Sequence, residues 1–350
     1  MQQRKIIHID QDCFYAAIEM RERGIKRDVP VAVGGRSRRG VLTTCNYKAR
    51  AFGCRSAMPV YKALELCPQL LLLPVNFDLY RAESKKIRTI FRRYTDLIEP
   101  LSLDEAHLDV SCLDRSGSEV AAEIRQAIRT ELRLPSSAGI APNKLLAKIA
   151  SDWNKPNGQF EIRPEDVAAF MQELPVRRLH GVGPKMAHSL ERKNIRTCGA
   201  MQRLSLAQLI RDYQAWGASL YQLCRGIDDR PVEPNRTRKS CSTETTFGQN
   251  IETEAELMER LPALYTELMH DLEKQGNRHR IESVFCKIKF ADFSQTTVGR
   301  SHMQPTLDAF ADIVREGRRR NEQPVRLLGV GVRFQHNENG YTQMKLNFNG

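Results

Sequence analysis

The chain has nine cysteines but no CxxC pair, so neither a zinc ribbon nor a disulfide framework organises it. Small buried thiols in a reducing compartment are expected instead. No apolar run approaches the roughly 20 residues that a membrane span requires; the leucine run Leu70–Leu73 is closed by Pro74. Behind Arg4 and Lys5, the Ile6-Ile7 pair is too short for a signal-peptide core. A cytoplasmic protein without a membrane role is expected. Internal repeats and low-complexity segments are also missing. What remains is ordinary globular composition, 41% hydrophobic and 27% charged over 350 residues. At about 100–200 residues per domain, that length suggests two or three domains.

The net charge is +12 and is unevenly spread. Residues 1–165 carry 27 basic and 20 acidic side chains, residues 166–240 carry 13 and 7, and residues 241–350 carry 14 and 15. A basic body points to a polyanionic partner, and nucleic acid is the usual one.

Hydrophobic patterning divides the chain. RKIIHID (4–10) reads as a buried strand and residues 14–23 as a helix. Two strands are expected at 29–34 and 40–45, and helices at 56–67 and 77–94. Ser116 and Glu119 have capping-box spacing, and the helix behind them buries Val120, Ile124 and Ile128. Residues 136–141 read as a strand, and Leu145, Leu146 and Ile149 as the buried side of a helix. Alternating strands and helices make this half α/β or α+β. Residues 164–228 show short helical patterns only. RPVEPNRTRKS (230–240) suits a linker. A long helix is expected over 253–275, with Leu257, Leu261, Leu264, Leu268 and Leu272 on one side and Pro262 bending or breaking it. Residues 283–290 and parts of 326–334 alternate as strands, so the last domain is again α+β.

Two acidic pairs carry the chemistry. Asp10-Gln11-Asp12 ends the first strand, and Asp104-Glu105 precedes another. Adjacent strands of one sheet would bring Asp10, Asp104 and Glu105 together. Gathered carboxylates repel, and hard divalent cations such as magnesium would relieve them and support phosphoryl transfer. Solvated turn acids are the plain alternative.

The motifs around these acids identify a family. IIHIDQDCFYAAIE (6–19), GVLTTCNYKARAFGCRSAMP (40–59), EPLSLDEAHLDV (99–110), SSAGIAPNKLLAKIASDWNKPNG (136–158) and LHGVGPKMAHSL (179–190) occur in order. In these segments the chain resembles the Y-family DNA polymerases, in particular the bacterial DinB group. The resemblance covers essentially the whole chain, most strongly residues 4–240.

It implies an α+β multidomain right hand: a ferredoxin-like palm (1–10 and 74–165), small fingers (11–73), a helical thumb with a helix-hairpin-helix (166–232), a linker (233–240) and an α+β little finger (241–350). It implies templated addition of dNTPs to a primer 3′-hydroxyl in low-fidelity translesion synthesis, without a proofreading exonuclease. Two Mg²⁺ ions, which Mn²⁺ can replace, would sit on Asp10, Asp104, Glu105 and the backbone carbonyl of Gln11. The family usually has an apolar or aromatic residue at Gln11, and tyrosine is common at His107, which is given only a packing role.

The resemblance makes Tyr15 the steric gate, an aromatic ring that clashes with a ribose hydroxyl. It assigns the triphosphate to Tyr47, Arg50 and Lys155, as phosphate chemistry suits. Gly181, Gly183 and Lys185 of the hairpin would meet DNA phosphates. Lys287 and Lys289 alternate with Cys286, Ile288 and Phe290, giving a strand one basic face. That face is a DNA contact or simply a solvated sheet surface. Gln343, Leu346 and Phe348 near the C-terminus resemble the peptide that binds the bacterial sliding clamp, with a final β-strand as the other reading. A monomer acting on primer-template DNA is expected. The rivals are a nucleotidyl cyclase, which would not need the basic thumb, and a non-catalytic DNA-binding relative, against which the three carboxylates argue.

Overall fold

The computed structural model describes residues 4–35, 37, 39–274 and 280–335. Among them are twelve strands: β1 (Ile6–Gln11), β2 (Val31–Gly34), β3 (Leu42–Cys45), β4 (Leu71–Leu73), β5 (Ile98–Pro100), β6 (Glu105–Asp109), β7 (Ser136–Ala141), β8 (Gln159–Glu161), β9 (Ser240–Ile251), β10 (Ile281–Phe290), β11 (Gln295–Ser301) and β12 (Val325–Phe334). The chain divides into two compact units, the first essentially residues 1–236 and the second mainly 237–350.

The first unit is built on a five-stranded sheet in the order β5-β6-β1-β7-β8. β1 lies centrally and pairs antiparallel with β6 and β7. Its isoleucines are fully buried, as a β-branched run in a central strand should be. The strand extends through Gln11, one residue beyond the expected palm boundary. It passes into the helix Phe14–Glu22 through Cys13, whose φ of 45° is left-handed. Phe14, Ala16 and Ile18 of that helix join Ile7, Ile9, Ile87, Ile90 and Val120 in one core. The expected capping box of Ser116 and Glu119 forms at the helix Gly117–Ala127.

Gly139 on β7 decides how the next helix lies. A Cβ there would stand 2.0 Å from the Ala147 carbonyl oxygen, so glycine admits the helix Lys144–Ser151 directly against the sheet. A small sheet, β3-β2-β4, carries its own core of Ala32, Leu42, Cys45, Ala49, Val60 and Ala63. The regular elements between Pro164 and Leu223 are all short helices, as expected of 164–228. Their core, with Met171, Leu174, Leu190, Leu209 and Leu220, also takes in Leu145, Leu146 and Ile149.

The second unit is an antiparallel sheet in the order β11-β10-β12-β9, with the helices Glu254–Lys274 and Leu307–Arg318 packed on it. Leu257, Leu261, Leu264 and Leu268 are buried as expected. The helix runs through Pro262 as one element, so of the expected bend or break the break does not occur. Burial of leucines on both sides of the proline outweighs the one lost backbone hydrogen bond. The expected linker ends earlier than 240, because Ser240 already belongs to β9.

The nine cysteines are thiols, seven of them buried. Among the described residues, no helix is long and apolar enough to cross a membrane. Gln343, Leu346 and Phe348 lie outside the described residues.

Candidate active site

The β1–β6 register builds the site. Asp10 is the direct cross-strand partner of Glu105, and such partners project to the same face. The Gln11 N–H donates to the Asp104 carbonyl at 2.9 Å, which fixes the turn ahead of β6. Three carboxylates from distant segments are thereby adjacent at the end of one strand pair. Ser102 Oγ donates to Asp104 Oδ1.

The like charge is visible in the electrostatics. Burial, reinforced by Asp104 and Glu105, pushes the Asp10 carboxyl up to about 6 even though Lys155 opposes it. Lys155 Nζ stands 2.8 Å from Asp10 Oδ2 and 2.7 Å from Asp152. Burial alone would raise Glu105 too. Its hydrogen bonds with His8 and Lys148 outweigh that and hold it at about 2. His8 Nε2 lies 3.2 Å from Glu105 Oε2, and its Nδ1 is 2.9 Å from Ser151 Oγ. Lys148 forms a short ion pair with the same Glu105 oxygen.

Among the described residues, no three His, Cys, Asp or Glu side chains are gathered so as to hold a metal ion as they stand. The convergence is in the backbone, while lysines take the carboxylate oxygens of Asp10 and Glu105. The donor set still fits a hard divalent cation: it is oxygen only, and burial, with the charges of Asp104 and Glu105, holds the Asp10 carboxyl above its ordinary value, which a bound cation would offset.

Asp10, Gln11, Tyr15, Tyr47, Arg50, Asp104 and Lys155 line one cleft of about 230 Å³. Of the expected palm residues, only Glu105 is absent from its lining. Tyr15 is stacked on Tyr80, with ring centroids 4.3 Å apart, and meets Phe77 edge-on. Tyr80 is fully buried and its hydroxyl donates to Glu19 Oε1, so the ring beneath Tyr15 is fixed. The Arg50 guanidinium lies over the Tyr47 ring, 4.7 Å from its centroid.

Several residues of the site escaped the sequence reading. Asp12 is buried and accepts from Tyr47 Oη at 3.1 Å, Ser137 Oγ at 2.9 Å and the Asn157 N–H at 2.7 Å. It joins the first and fourth motifs and holds Tyr47 in place. His8 and Lys148 are the others. Their signal was present: Lys144 and Lys148 stand one turn apart on an otherwise apolar helix, and each meets a strand glutamate, Glu99 and Glu105. His107 is buried against His8, with ring centroids 4.7 Å apart, in the packing role expected for it. Among the described residues, the buried Gln11 amide has no hydrogen-bond partner at either Nε2 or Oε1.

The remaining candidates are not part of this cleft's lining. Gly181 has φ of +90°, and a Cβ there would meet the Trp216 ring at 2.6 Å, so only glycine suits the hairpin. Gly183 caps the helix Pro184–Arg192, and nothing lies within 4 Å of a Cβ built on it. Gly183 and Lys185 are exposed. In the second unit, Lys287 and Lys289 share the sheet face opposite buried Cys286, Ile288 and Phe290. That face is less basic than expected, because Lys287 pairs with Glu244 at 2.8 Å. Lys289 lies 4.9 Å from the Phe293 ring centroid.

Residues 9–152 match the impB/mucB/samB family, residues 238–346 match the C-terminal domain of that family, and residues 177–228 match the thumb domain of DNA polymerase-iota. The chain is 50% identical over 347 residues to DNA polymerase IV of Legionella pneumophila strain Philadelphia 1, covering 98% of each. It is 48% identical to DNA polymerase IV of Pseudomonas aeruginosa strain PAO1, covering 98% of this chain and 99% of that one. Among solved structures, a Y-family DNA polymerase chimera of Dbh and Dpo4 matches with a TM-score of 0.86 and 28% identity, over 94% of this chain and 98% of the other.

Proposed function

The chain belongs to the Y family of DNA polymerases, the impB/mucB/samB family, and we propose how its residues divide the work of templated nucleotide addition. It is a DNA-directed DNA polymerase of translesion synthesis that depends on divalent metal and binds primer-template DNA and dNTPs. The reading of its site rests on one observation: the β1–β6 register sets Asp10 opposite Glu105 and ties Gln11 to Asp104.

Asp10, Asp104, Glu105 and the Gln11 carbonyl would hold two Mg²⁺ ions, or Mn²⁺ in their stead. When bound, such ions lower the pKa of the primer hydroxyl and offset charge on the triphosphate. Arg50 and Lys155 bind the triphosphate, and Tyr47, held by Asp12, forms its wall. Lys155 neutralises Asp10 and can exchange that carboxylate for a phosphate. Tyr15 excludes a ribose 2′-hydroxyl from a cleft that Tyr80 keeps from yielding. Lys148 and His8 orient Glu105 from behind. The primer 3′-hydroxyl attacks the α-phosphate and pyrophosphate leaves.

Gly181, Gly183 and Lys185 of the thumb contact DNA phosphates, as do Lys287 and Lys289. Gln343, Leu346 and Phe348 bind the bacterial sliding clamp. The protein acts as a cytoplasmic monomer of low fidelity, without proofreading.

The test is primer extension on a defined template with Mg²⁺ and single dNTPs. Wild type adds only the templated base. Asp104→Ala loses about 10³-fold or more in rate while DNA binding persists. Untemplated addition by wild type, or an unimpaired Asp104→Ala, refutes the assignment.

A further inference from the structure

A second cavity, of about 720 Å³, shares a wall with the nucleotide cleft. Tyr47 lines both, and Asn157 on the second side donates to Asp12 on the first. Arg27, Lys48, Arg129 and Arg133 line this second cavity. All four are exposed, and none has an ion pair or side-chain hydrogen bond among the described residues. A fifth cation, Arg21, is already paired with Glu22 and Glu83. No carboxylate lines the cavity. Its other walls are largely apolar, with Met20, Ile25, Leu134 and Pro135.

Four uncompensated cations around a concave surface attract a multiply charged anion. Three are arginines, which suit phosphate oxygens held two at a time. Apolar walls beside them offer a face to a planar base, and the volume is that of a small-molecule site. We propose that this cavity binds a nucleoside polyphosphate at a site separate from that of the reacting dNTP. Its phosphates lie on Arg27, Lys48, Arg129 and Arg133, and its base lies against Met20 and Ile25. Because Tyr47 belongs to both walls, the bound nucleotide adjoins the triphosphate site. A single-stranded nucleic acid is the competing occupant, and a compact apolar-backed cavity favours the mononucleotide over it.

The test is equilibrium binding of fluorescently labelled ATP to the full-length protein in EDTA. The proteins compared are wild type, the double variant Arg27→Ala/Arg129→Ala, and Arg50→Ala as the cleft control. Removing two phosphate-binding guanidinium groups should weaken ATP binding at least about tenfold in the double variant. Binding to Arg50→Ala should stay within about twofold of wild type, and added salt should weaken wild-type binding. Both exchanged arginines are surface groups, so the melting temperature of the double variant should match wild type and exclude misfolding. The proposal is overturned if wild type does not bind ATP, if Arg50→Ala loses it as fully as the double variant, or if the double variant retains it. It is equally overturned, in favour of a strand, if the double variant weakens binding of labelled oligothymidylate while ATP binding is unaltered.

Discussion

The two main sheets of this molecule use charge in opposite ways. In the first unit, β1 and β7 are buried almost throughout, and the few ionisable groups of the sheet, the strand-end acids with buried His8, His107 and Glu99, meet one another or lysines of one covering helix. In the second unit, β10 alternates buried and partly exposed residues, so charge is spread over one open face. The first arrangement holds a few carboxylates in fixed register, where a shift of one residue would turn every side chain over. The second offers a surface that tolerates local adjustment. Substitutions in the first should therefore change chemistry and discrimination, and substitutions in the second should change affinity.

Tyr15→Ala should give the larger effect. Its ring is clamped by Tyr80 and Phe77, so the space it leaves will not be filled by a neighbour. Discrimination against ribonucleotides should fall by about 10²-fold, the scale of a shape-based selection. The check is the ratio of kcat/KM for a dNTP and its rNTP. Unchanged discrimination would remove Tyr15 from the gate and weaken the contrast between the sheets.

Lys287→Ala/Lys289→Ala should leave the rate at saturating DNA intact and weaken DNA binding. Removing one phosphate-neutralising lysine lowers the salt slope of log K by about 0.9. Because Glu244 already pairs with Lys287, the loss at Lys287 should be smaller than at Lys289. Titrations at several salt concentrations check this. A fall in the saturated rate instead would mean that the open face, too, acts on geometry.

The same contrast explains what could be read from the sequence. β1, the helix Phe14–Glu22 and the leucine stripe Leu257–Leu268 were legible because burial imposes period on apolar residues. β9 was not: more than half of it is exposed, mostly serine, threonine and glutamate, and it reads as a continuation of the polar linker. β4 and β8, at three residues each, are too short to carry a pattern. The helix Leu307–Arg318 could have been found, since Thr306 caps it and Phe310, Ile313, Val314 and Gly317 keep helical spacing. At the site, motif positions led to Asp10, Asp104, Tyr15, Tyr47, Arg50 and Lys155, which meet in one cleft. Asp12, His8 and Lys148 were missed because their importance comes from partners more than 40 residues away or from a helix seated on Gly139.

Acid sensitivity offers a finer probe of the first unit. Asp228 is buried, accepts from the Leu145 N–H at the start of the helix Lys144–Ser151, and pairs with Arg230 at 2.6 Å. Although burial would raise its carboxyl, the hydrogen bonds and charge of Arg230 hold it below the usual range. A depressed folded pKa adds stability above the unfolded value of about 3.9 and surrenders it as pH falls toward the folded one. Asp228→Asn should cost about 1–3 kcal/mol at pH 7. The gap from wild type should narrow as pH drops below about 4. Urea titrations at pH 7, 5 and 3.5 check this, and a gap independent of pH would show that the carboxylate charge contributes nothing.

The smallest effect is expected at Gln11, where the buried strand meets the proposed metal site. Its backbone N–H is committed to Asp104, while its side-chain amide is buried with no partner among the described residues. An unsatisfied buried amide costs about 1–3 kcal/mol, and an apolar group of similar shape avoids that cost. Gln11→Met should therefore stabilise the first unit by about 1 kcal/mol or more. It should leave templated addition near wild type, because the role assigned to this residue belongs to its main chain. Denaturant midpoints and primer extension on one preparation measure both. A loss of activity with unchanged stability would mean that the amide side chain itself serves the reaction, and that chemistry in this sheet reaches one residue deeper than the carboxylates at its end.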